Sequence, residues 1–189
     1  MIKIPVEVSA RHVHLTQHDL EVLFGEDFVL PKAKELSQTG EFASTEVVAL
    51  VGAKNKIENV RVLGPCRTFT QIEVSRTDCF FLGNQAPLRL SGKVIRSGAI
   101  KIIGPKGELD LTEGLIVAKR HLHVNPDEAR DLGVLNNQNI KILVDGPRQT
   151  IFGEVEVRVN ENFNMNVHLD TDEANAAGVV GDTYCEIIK

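Results

Sequence analysis

The sequence Arg120-His121-Leu122-His123-Val124-Asn125 repeats, with small changes, the earlier sequence Arg11-His12-Val13-His14-Leu15-Thr16. Each copy follows an apolar segment and precedes an acidic stretch of helical character. Internal repetition indicates that one structural unit occurs more than once, so it changes the expected number of domains. We predict two similar domains, residues 10–119 and residues 120–189, with an N-terminal strand, residues 1–9, that can pair with either.

A second repeat lies within the later half, where residues 123–134 match residues 168–179. Each copy has a polar N-cap residue, a glutamate three positions later and a closing glycine, which together predict a helix of about two turns. These signals are Asn125, Pro126, Glu128 and Gly133 in the first copy, and Asp170, Thr171, Glu173 and Gly178 in the second.

Most of the remaining chain consists of short runs with alternating or β-branched residues, separated by Gly, Pro, Asn and Asp. Such runs are typical of strands, and many short strands with few short helices favour small closed barrels. We therefore predict a mainly β fold with short helices (α+β), made of two small β-barrels. The predicted strands include residues 46–51, 57–63, 71–75, 140–144 and 152–159.

The composition excludes several classes of protein. The chain has 189 residues, 42% of them hydrophobic, and a formal net charge of −5, so it offers no basic face for nucleic acid or an anionic membrane. No segment resembles a signal peptide or a membrane span, which favours a cytoplasmic protein. Cys66, Cys79 and Cys185 have no recurrent spacing, so neither disulfides nor a cysteine metal site is expected.

The histidines carry the strongest functional signal. Alternate residues of a strand point to one face, so each His-x-His presents two imidazoles side by side, as a chelate does. His168 holds the position in the second repeat that His123 holds in the first. These five imidazoles exceed the three protein ligands of a usual catalytic zinc, which indicates two metal ions. The remaining histidine, His18, is predicted to be a solvated residue of the first helix.

Two sets of three ligands need one carboxylate in addition to the five imidazoles. Strand alternation places Gln71 and Glu73 on one face, with Arg67 in the preceding turn, which makes Glu73 one candidate. The other candidates are Glu7, Glu46 and Glu108.

Nitrogen and oxygen ligands without thiolates favour zinc acting as a Lewis acid. Two alternatives stay open at this point. A set of two histidines and one carboxylate also suits iron, and His-x-His begins the cupin signature. The cupin pattern expects a glutamate where Gln17-His18-Asp19 stands, which argues against a cupin.

With these residues, the chain resembles a known family, the PduL-type phosphate propanoyltransferases, or phosphotransacylases. Members of this family interconvert acyl-CoA and phosphate with acyl phosphate and CoA. The matching segments extend from residue 8 to residue 177 and thus cover nearly the whole chain. They are VSARHVHLT, LSQTGEFAS, NVRVLGPCRTFTQIEVSRTD, PLRLSG, IVAKRHLHV and HLDTDEANA.

The resemblance implies two β-barrels capped by short helices, with the first strand packed into the second barrel and the active site between the barrels. It also implies two Zn²⁺ per chain and a phosphate-binding arginine at Arg67. The first zinc would be bound by His12, His14 and Glu73, and the second by His121, His123 and His168. The positions that match the CoA contacts are Val8, Ser9, Ala10, Lys34, Lys54, Arg61, Leu63 and Asn175.

The spacing of Asn175 gives a further expectation. Asn175 is seven residues beyond His168, which is two helical turns. On one helix the two side chains would lie on the same face and line the same cleft.

The implied activity is direct attack of phosphate on the thioester of propanoyl-CoA or acetyl-CoA. A covalent route through Cys66 is an alternative, because the neighbouring Arg67 could lower the pKa of the thiol. With water in place of phosphate, the same two-metal site would hydrolyse acyl-CoA or phosphoesters. A zinc-stabilised structural module would instead have closed, four-coordinate sites.

The resemblance also bears on partners and location. Family members that enter bacterial microcompartments, such as those for propanediol degradation, often carry an N-terminal amphipathic extension, whereas this sequence starts at its first strand. This favours a cytoplasmic enzyme, although entry into a microcompartment through a partner stays open. The expected partners are the small-molecule substrates, acyl-CoA and phosphate, and a second copy of the chain in a homodimer.

Overall fold

The computed structural model describes residues 2–188, which form short strands and four short helices. In chain order they are β1 (Ile4–Ser9), β2 (His12–His14), α1 (Gln17–Phe24), β3 (Lys32–Glu35), β4 (Phe42–Val51), β5 (Lys56–Gly64), β6 (Gln71–Val74), α2 (Arg76–Leu82), β7 (Leu88–Arg89), β8 (Gly98–Ile103), β9 (Glu108–Ala118), β10 (His121–Val124), α3 (Pro126–Leu132), β11 (Asn139–Val144), β12 (Thr150–Val159), β13 (Asn166–Asp170), α4 (Thr171–Ala177) and β14 (Thr183–Ile188).

The described chain divides into two compact units. The first contains residues 10–36 and 40–118, and its strands close a barrel in the order β4-β5-β2-β6-β9-β8, because β8 pairs with both β4 and β9. Strands β3 and β7 extend this sheet beside β4 and β9. We call this unit the β2 barrel.

The second unit contains residues 2–9, 37–39 and 119–188 of the described chain. Its strands close a barrel in the order β1-β13-β10-β12-β11-β14, and we call this unit the β10 barrel. The N-terminal strand β1 lies parallel to β13 and antiparallel to β14, so it completes this barrel. The three residues of segment 37–39 belong to the same unit, which the sequence pattern did not predict.

The two barrels have the same strand pattern. In each, the His-x-His strand lies parallel to one neighbour and antiparallel to the other, as β2 does between β5 and β6, and as β10 does between β12 and β13. Strands β9 and β1 hold equivalent places, each parallel to the strand that carries the third candidate ligand. The predicted architecture of two small β-barrels with short helices is therefore confirmed.

Each His-x-His strand is anchored by its middle residue. Val13 and Leu122 are fully buried and belong to the apolar cores of their barrels. Because side chains alternate along a strand, the flanking histidines lie on the opposite face from these anchors. The same burial that stabilises the strand therefore fixes the direction of the imidazoles.

The barrel cores should respond to the loss of one methylene. Ile142 on β11 is fully buried in the β10 barrel, so Ile142→Val should lower the free energy of unfolding by about 1 kcal/mol. The matched control is Ile151→Val on β12, because Ile151 is 60% exposed and its change should stay within about 0.5 kcal/mol. Urea denaturation measures the free energy of unfolding of both variants. Equal losses would contradict the assignment of Ile142 to the core.

The predicted helix signals are confirmed. Asn125 and Asp170 are the N-caps of α3 and α4, and each forms a capping box with the glutamate three residues later. Both helices end at a glycine with a left-handed backbone, for example Gly133 at φ 68°. The predicted strand 71–75 is one residue too long, because Ser75 is the N-cap of α2.

Within residues 2–188, none of the helices is long and apolar enough to span a membrane.

Candidate metal centres and substrate-binding residues

The β2 barrel brings together His12, His14 and Glu73. Strand β2 lies antiparallel to β6, with His12 opposite Glu73 and His14 opposite Gln71. Each of the three residues offers one ligand atom, and these atoms lie within 4.8 Å of one another. All three side chains are buried. This arrangement fits a small cation held by two imidazoles and a carboxylate.

The two imidazoles of this set differ in their hydrogen bonding. The Nδ1 atom of His12 lies 2.8 Å from the carbonyl oxygen of Ala10 and can donate to it, while Nε2 lies 3.6 Å from Oε1 of Glu73. Nδ1 of His14 is buried and has no hydrogen-bond partner among the described residues. Since a buried polar atom is costly without a partner, this nitrogen suits a metal ligand.

The electrostatics of the set are dominated by burial and by the Glu73 charge. Burial lowers the pKa of His14 well below its usual 6.5, and the charges of His12 and Arg67 act in the same direction. For His12, burial is opposed by Glu73, which raises the pKa above 6.5. Burial likewise opposes ionisation of Glu73, but His12 outweighs it and lowers the pKa of the carboxyl. His14 is thus neutral at neutral pH, as a metal ligand must be.

The β10 barrel brings together His121, His123 and His168. Strands β10 and β13 are antiparallel, with His121 opposite His168. The ligand atoms again lie within 4.8 Å of one another. The three ring centroids are 4.5 to 4.9 Å apart, and the rings of His121 and His168 are stacked. Three imidazoles in this cluster form a second candidate metal set.

The first histidine of each pair is held in the same way. Nδ1 of His121 lies 2.8 Å from the carbonyl oxygen of Lys119, just as Nδ1 of His12 lies 2.8 Å from that of Ala10. A ring that donates from Nδ1 directs the lone pair of Nε2 to a ligand. The repeated sequence therefore repeats a hydrogen bond that fixes the tautomer.

A shared local pattern links all four ligand-bearing strands. In each, a candidate ligand stands two residues before the N-cap of a helix, and the N-cap side chain accepts a hydrogen bond from the backbone three residues on. The ligand and N-cap pairs are His14 and Thr16, Glu73 and Ser75, His123 and Asn125, and His168 and Asp170. The position of Glu73 two residues before the N-cap Ser75 could have identified it from the sequence as a ligand. A search for repeated histidines does not find this spacing, because the ligand here is a glutamate.

The arginine before each His-x-His has an equivalent role in the two barrels. Arg11 forms an ion pair with Asp78, at 2.8 Å, and Arg120 forms one with Glu173, at 2.5 Å. Asp78 and Glu173 are the capping-box acids of α2 and α4. Each arginine therefore ties the start of a ligand strand to the helix that follows the third ligand.

Arg67 lies in the loop before β6 and is fixed at both its backbone and its side chain. Its backbone N–H donates to the carbonyl of Leu15, at 2.8 Å, next to His14. Its guanidinium donates to Glu41 at 2.8 Å and to Ser91 at 3.0 Å. Ser91 also accepts from Gln71, which donates to Glu73 at 2.6 Å. A chain of hydrogen bonds thus connects Arg67 to the His12-His14-Glu73 set.

Of the candidate CoA residues in the β2 barrel, two flank the histidines. Arg61 and Leu63 on β5 lie opposite His12 and His14, respectively, and Ala10 provides the carbonyl that orients His12. Lys34 is exposed on β3. Lys54 lies before β5, where its backbone N–H donates to the carbonyl of Leu82, at 2.9 Å. Of these residues, Ala10, Arg61 and Leu63 are the ones that pair with the histidine strand or its first imidazole.

The other candidate CoA residues lie in the β10 barrel. Val8 and Ser9 on β1 are opposite Leu169 and Asp170 on β13, and Val8 is exposed. Asn175 is an exposed residue of α4. Asn175 and His168 do not share a helical face, because His168 lies on β13 and α4 begins only at Thr171, so that prediction is wrong.

The structure also places His18, two of the alternative glutamates and the cysteines. His18 is an exposed residue of α1, as predicted. Glu46 and Glu108 are outside both candidate metal sets, and Glu108 pairs with Lys101. The cysteines are free. Burial raises the pKa of the Cys66 thiol above 9.0, with Glu21 adding to the shift, so the expected lowering by Arg67 is wrong.

The fold and site thus define a double-barrel protein with two candidate metal sets, and comparison with known proteins gives its family. Residues 5–180 match the family model described as phosphate propanoyltransferase. Relatives with that name include a protein of Thermotoga maritima, 51% identical over 91% of this chain and 82% of the relative, and one of Lachnoclostridium phytofermentans, 48% identical over 93% and 83%. A third, from Clostridioides difficile, is 45% identical over 98% of this chain and 89% of the relative.

The chain belongs to the phosphate propanoyltransferase family, and it is an enzyme of the transferase class. The family resemblance identified from the sequence motifs is confirmed.

Proposed function

We propose that this enzyme transfers a short acyl group, propanoyl or acetyl, between CoA and inorganic phosphate. Membership in the phosphate propanoyltransferase family supports this activity. The observation that carries it in the structure is the position of Arg67, whose guanidinium is held by Glu41 and Ser91 and linked through Gln71 to Glu73. An arginine fork next to a candidate metal set suits an anion with several oxygens, such as phosphate.

Two Zn²⁺ ions fit the ligands that the chain offers. His12, His14 and Glu73 would hold the first ion, and His121, His123 and His168 the second. Three-ligand sets of imidazole and carboxylate leave a coordination position for substrate, unlike the closed sets of structural zinc. When bound, zinc supplies Lewis-acid polarisation and stabilises developing negative charge.

The chain's own residues bind and orient the reacting groups. Arg67 has five N–H donors, so it can donate to phosphate oxygens while it keeps its bonds to Glu41 and Ser91. A phosphate oxygen attacks the thioester carbonyl carbon, a C–O bond forms, and the C–S bond breaks. The products are acyl phosphate and the CoA thiolate. Because Arg67 remains charged throughout, it stabilises the negative charge that develops on the transferred group.

We propose that CoA contacts residues next to the ligands. Arg61 and Leu63 on β5 support this because they lie opposite His12 and His14, and Ala10 supports it because its carbonyl lies within hydrogen-bonding distance of Nδ1 of His12. Val8, Ser9, Lys34, Lys54 and Asn175 are further proposed contacts. A homodimer, microcompartment association and the domain limits at residues 119 and 120 stay predictions from the sequence.

The test is release of CoA from propanoyl-CoA and acetyl-CoA, measured with a thiol reagent, with and without phosphate. We expect release with phosphate and none above background without it. Equal release in the two conditions would indicate hydrolysis and would overturn the proposed transfer. The Cys66→Ser variant should keep full activity, since the proposed reaction forms no acyl-cysteine.

A further inference from the structure

The segment Ser37–Thr39, within the motif LSQTGEFAS, has no part in the activity described above. It lies between β3 and β4 in the sequence, yet it belongs to the β10 barrel. The structure gives this segment specific partners in that barrel, which suggests that it does more than connect two strands.

Gln38 and Asn164 fix the segment in place. The side-chain amide of Gln38 donates to the carbonyl of Asn164, at 3.2 Å, and accepts from its backbone N–H, at 3.3 Å. The side chain of Asn164 donates to the carbonyl of Ser37, at 2.5 Å. Gln38 is only 6% exposed. These three hydrogen bonds, two of them at the buried Gln38 and one at the Ser37 carbonyl, hold the position of the Ser37 hydroxyl.

The hydroxyl of Ser37 donates to Oε2 of Glu7. Glu7 lies on β1 directly opposite His168 on β13, and its Oε2 is 3.8 Å from Nδ1 of His168. The His168 side chain is only 13% exposed. The structure therefore arranges Gln38, Ser37, Glu7 and His168 in series, ending at a candidate metal ligand.

Histidines that bind metal commonly donate their other ring nitrogen to a carboxylate, which fixes the ring and its tautomer. A short approach of Nδ1 to Glu7 would produce this arrangement and direct Nε2 of His168 to the ion. The equivalent position in the β2 barrel is Ile116, which lies opposite Glu73. A carboxylate at this register is therefore specific to the β10 barrel.

We propose that Glu7 and Ser37 are positioning residues for His168: Ser37 holds the Glu7 carboxylate, and Glu7 orients the imidazole toward the second metal ion. This inference rests on the proposed metal set of His121, His123 and His168. The segment Ser37–Thr39 of the LSQTGEFAS motif would then help to orient a metal ligand without binding the ion itself.

The test measures metal affinity rather than activity. Glu7→Gln removes the charge and keeps the shape, Ser37→Ala removes the hydroxyl, and Ser37→Thr keeps it. The matched control is Glu186→Gln, because Glu186 is a partly buried glutamate on β14 of the same barrel. Zinc dissociation constants come from competition with a chromophoric chelator, and ¹⁵N NMR of the imidazoles reports the tautomer of His168.

We expect Glu7→Gln and Ser37→Ala each to raise the dissociation constant of one of the two zinc ions by about tenfold or more. The imidazole resonances of His168 should shift in both variants. Ser37→Thr and Glu186→Gln should bind both ions as the original chain does. If the zinc affinity and the His168 tautomer were unchanged in both Glu7→Gln and Ser37→Ala, the positioning role of Glu7 and Ser37 would be overturned, while the proposed metal site would stand. If the original chain bound no ion at the His121-His123-His168 set, the proposed metal site would fail, and this inference with it.

Discussion

Stripping the enzyme of metal with a chelator is expected to slow phosphate-dependent CoA release by at least about a thousandfold, and added Zn²⁺ should restore the rate. Lewis-acid stabilisation of developing charge is worth several kcal/mol, and the buried imidazoles cannot replace it. The measurement is thiol release after dialysis against dipicolinate, with metal content determined on the same samples. Full activity in metal-free protein would contradict the proposed role of both sets.

Variants separate this effect from a general effect of chelation. His14→Ala and His168→Ala each remove one ligand of one set, so each should lower bound zinc by one ion and reduce activity strongly. His18→Ala is the matched control, because His18 is exposed on α1 and outside both sets. It should keep two ions and full activity. Loss of metal in all three variants would point to misfolding.

Arg67→Ala is expected to lower turnover by about a hundredfold to a thousandfold while the zinc content stays at two ions. The reason is the loss of a charged donor that stabilises the transition state, typically worth about 3 to 4 kcal/mol. Arg67→Lys should recover only part of the rate, because an ammonium lacks the planar fork that binds two oxygens. The measurement is steady-state kinetics at varied phosphate concentration.

The control for Arg67 is Arg130→Ala. Arg130 is an exposed residue of α3 whose side chain pairs with Asp127 at the surface, so its removal should leave the rate unchanged. If Arg67→Ala kept the full phosphate-dependent rate, phosphate would have to bind elsewhere. If it also lost zinc, the link through Ser91 and Gln71 to Glu73 would have a structural role in the metal set.

The sequence was sufficient for those features that depend on local periodicity. His12 and His14, like His121 and His123, could be predicted to act as pairs because alternate strand residues share a face. The caps of α3 and α4 followed from short-range hydrogen-bonding signals in Asn125 and Asp170. These predictions need no knowledge of distant contacts.

Features that depend on strand pairing could not be predicted from the residues alone. Glu73 competed with three other glutamates until the resemblance singled it out, and the structure places it opposite His12 through the antiparallel β2–β6 pair. Glu7 lies beside His168 because β1 pairs with a strand about 160 residues later in the chain, a register that no local pattern encodes. The error over Asn175 arose because a helical period was applied across the end of a strand.

The most direct test of the central claim, that phosphate itself accepts the acyl group, follows the oxygen atoms. Propanoyl-CoA is incubated with the zinc-loaded enzyme and phosphate labelled with ¹⁸O at all four oxygens, and the products are examined by mass spectrometry. We predict propanoyl phosphate that retains all four labelled oxygens, formed in equal amount to CoA. Unlabelled propanoate, formed together with CoA while the labelled phosphate is unchanged, would contradict the account.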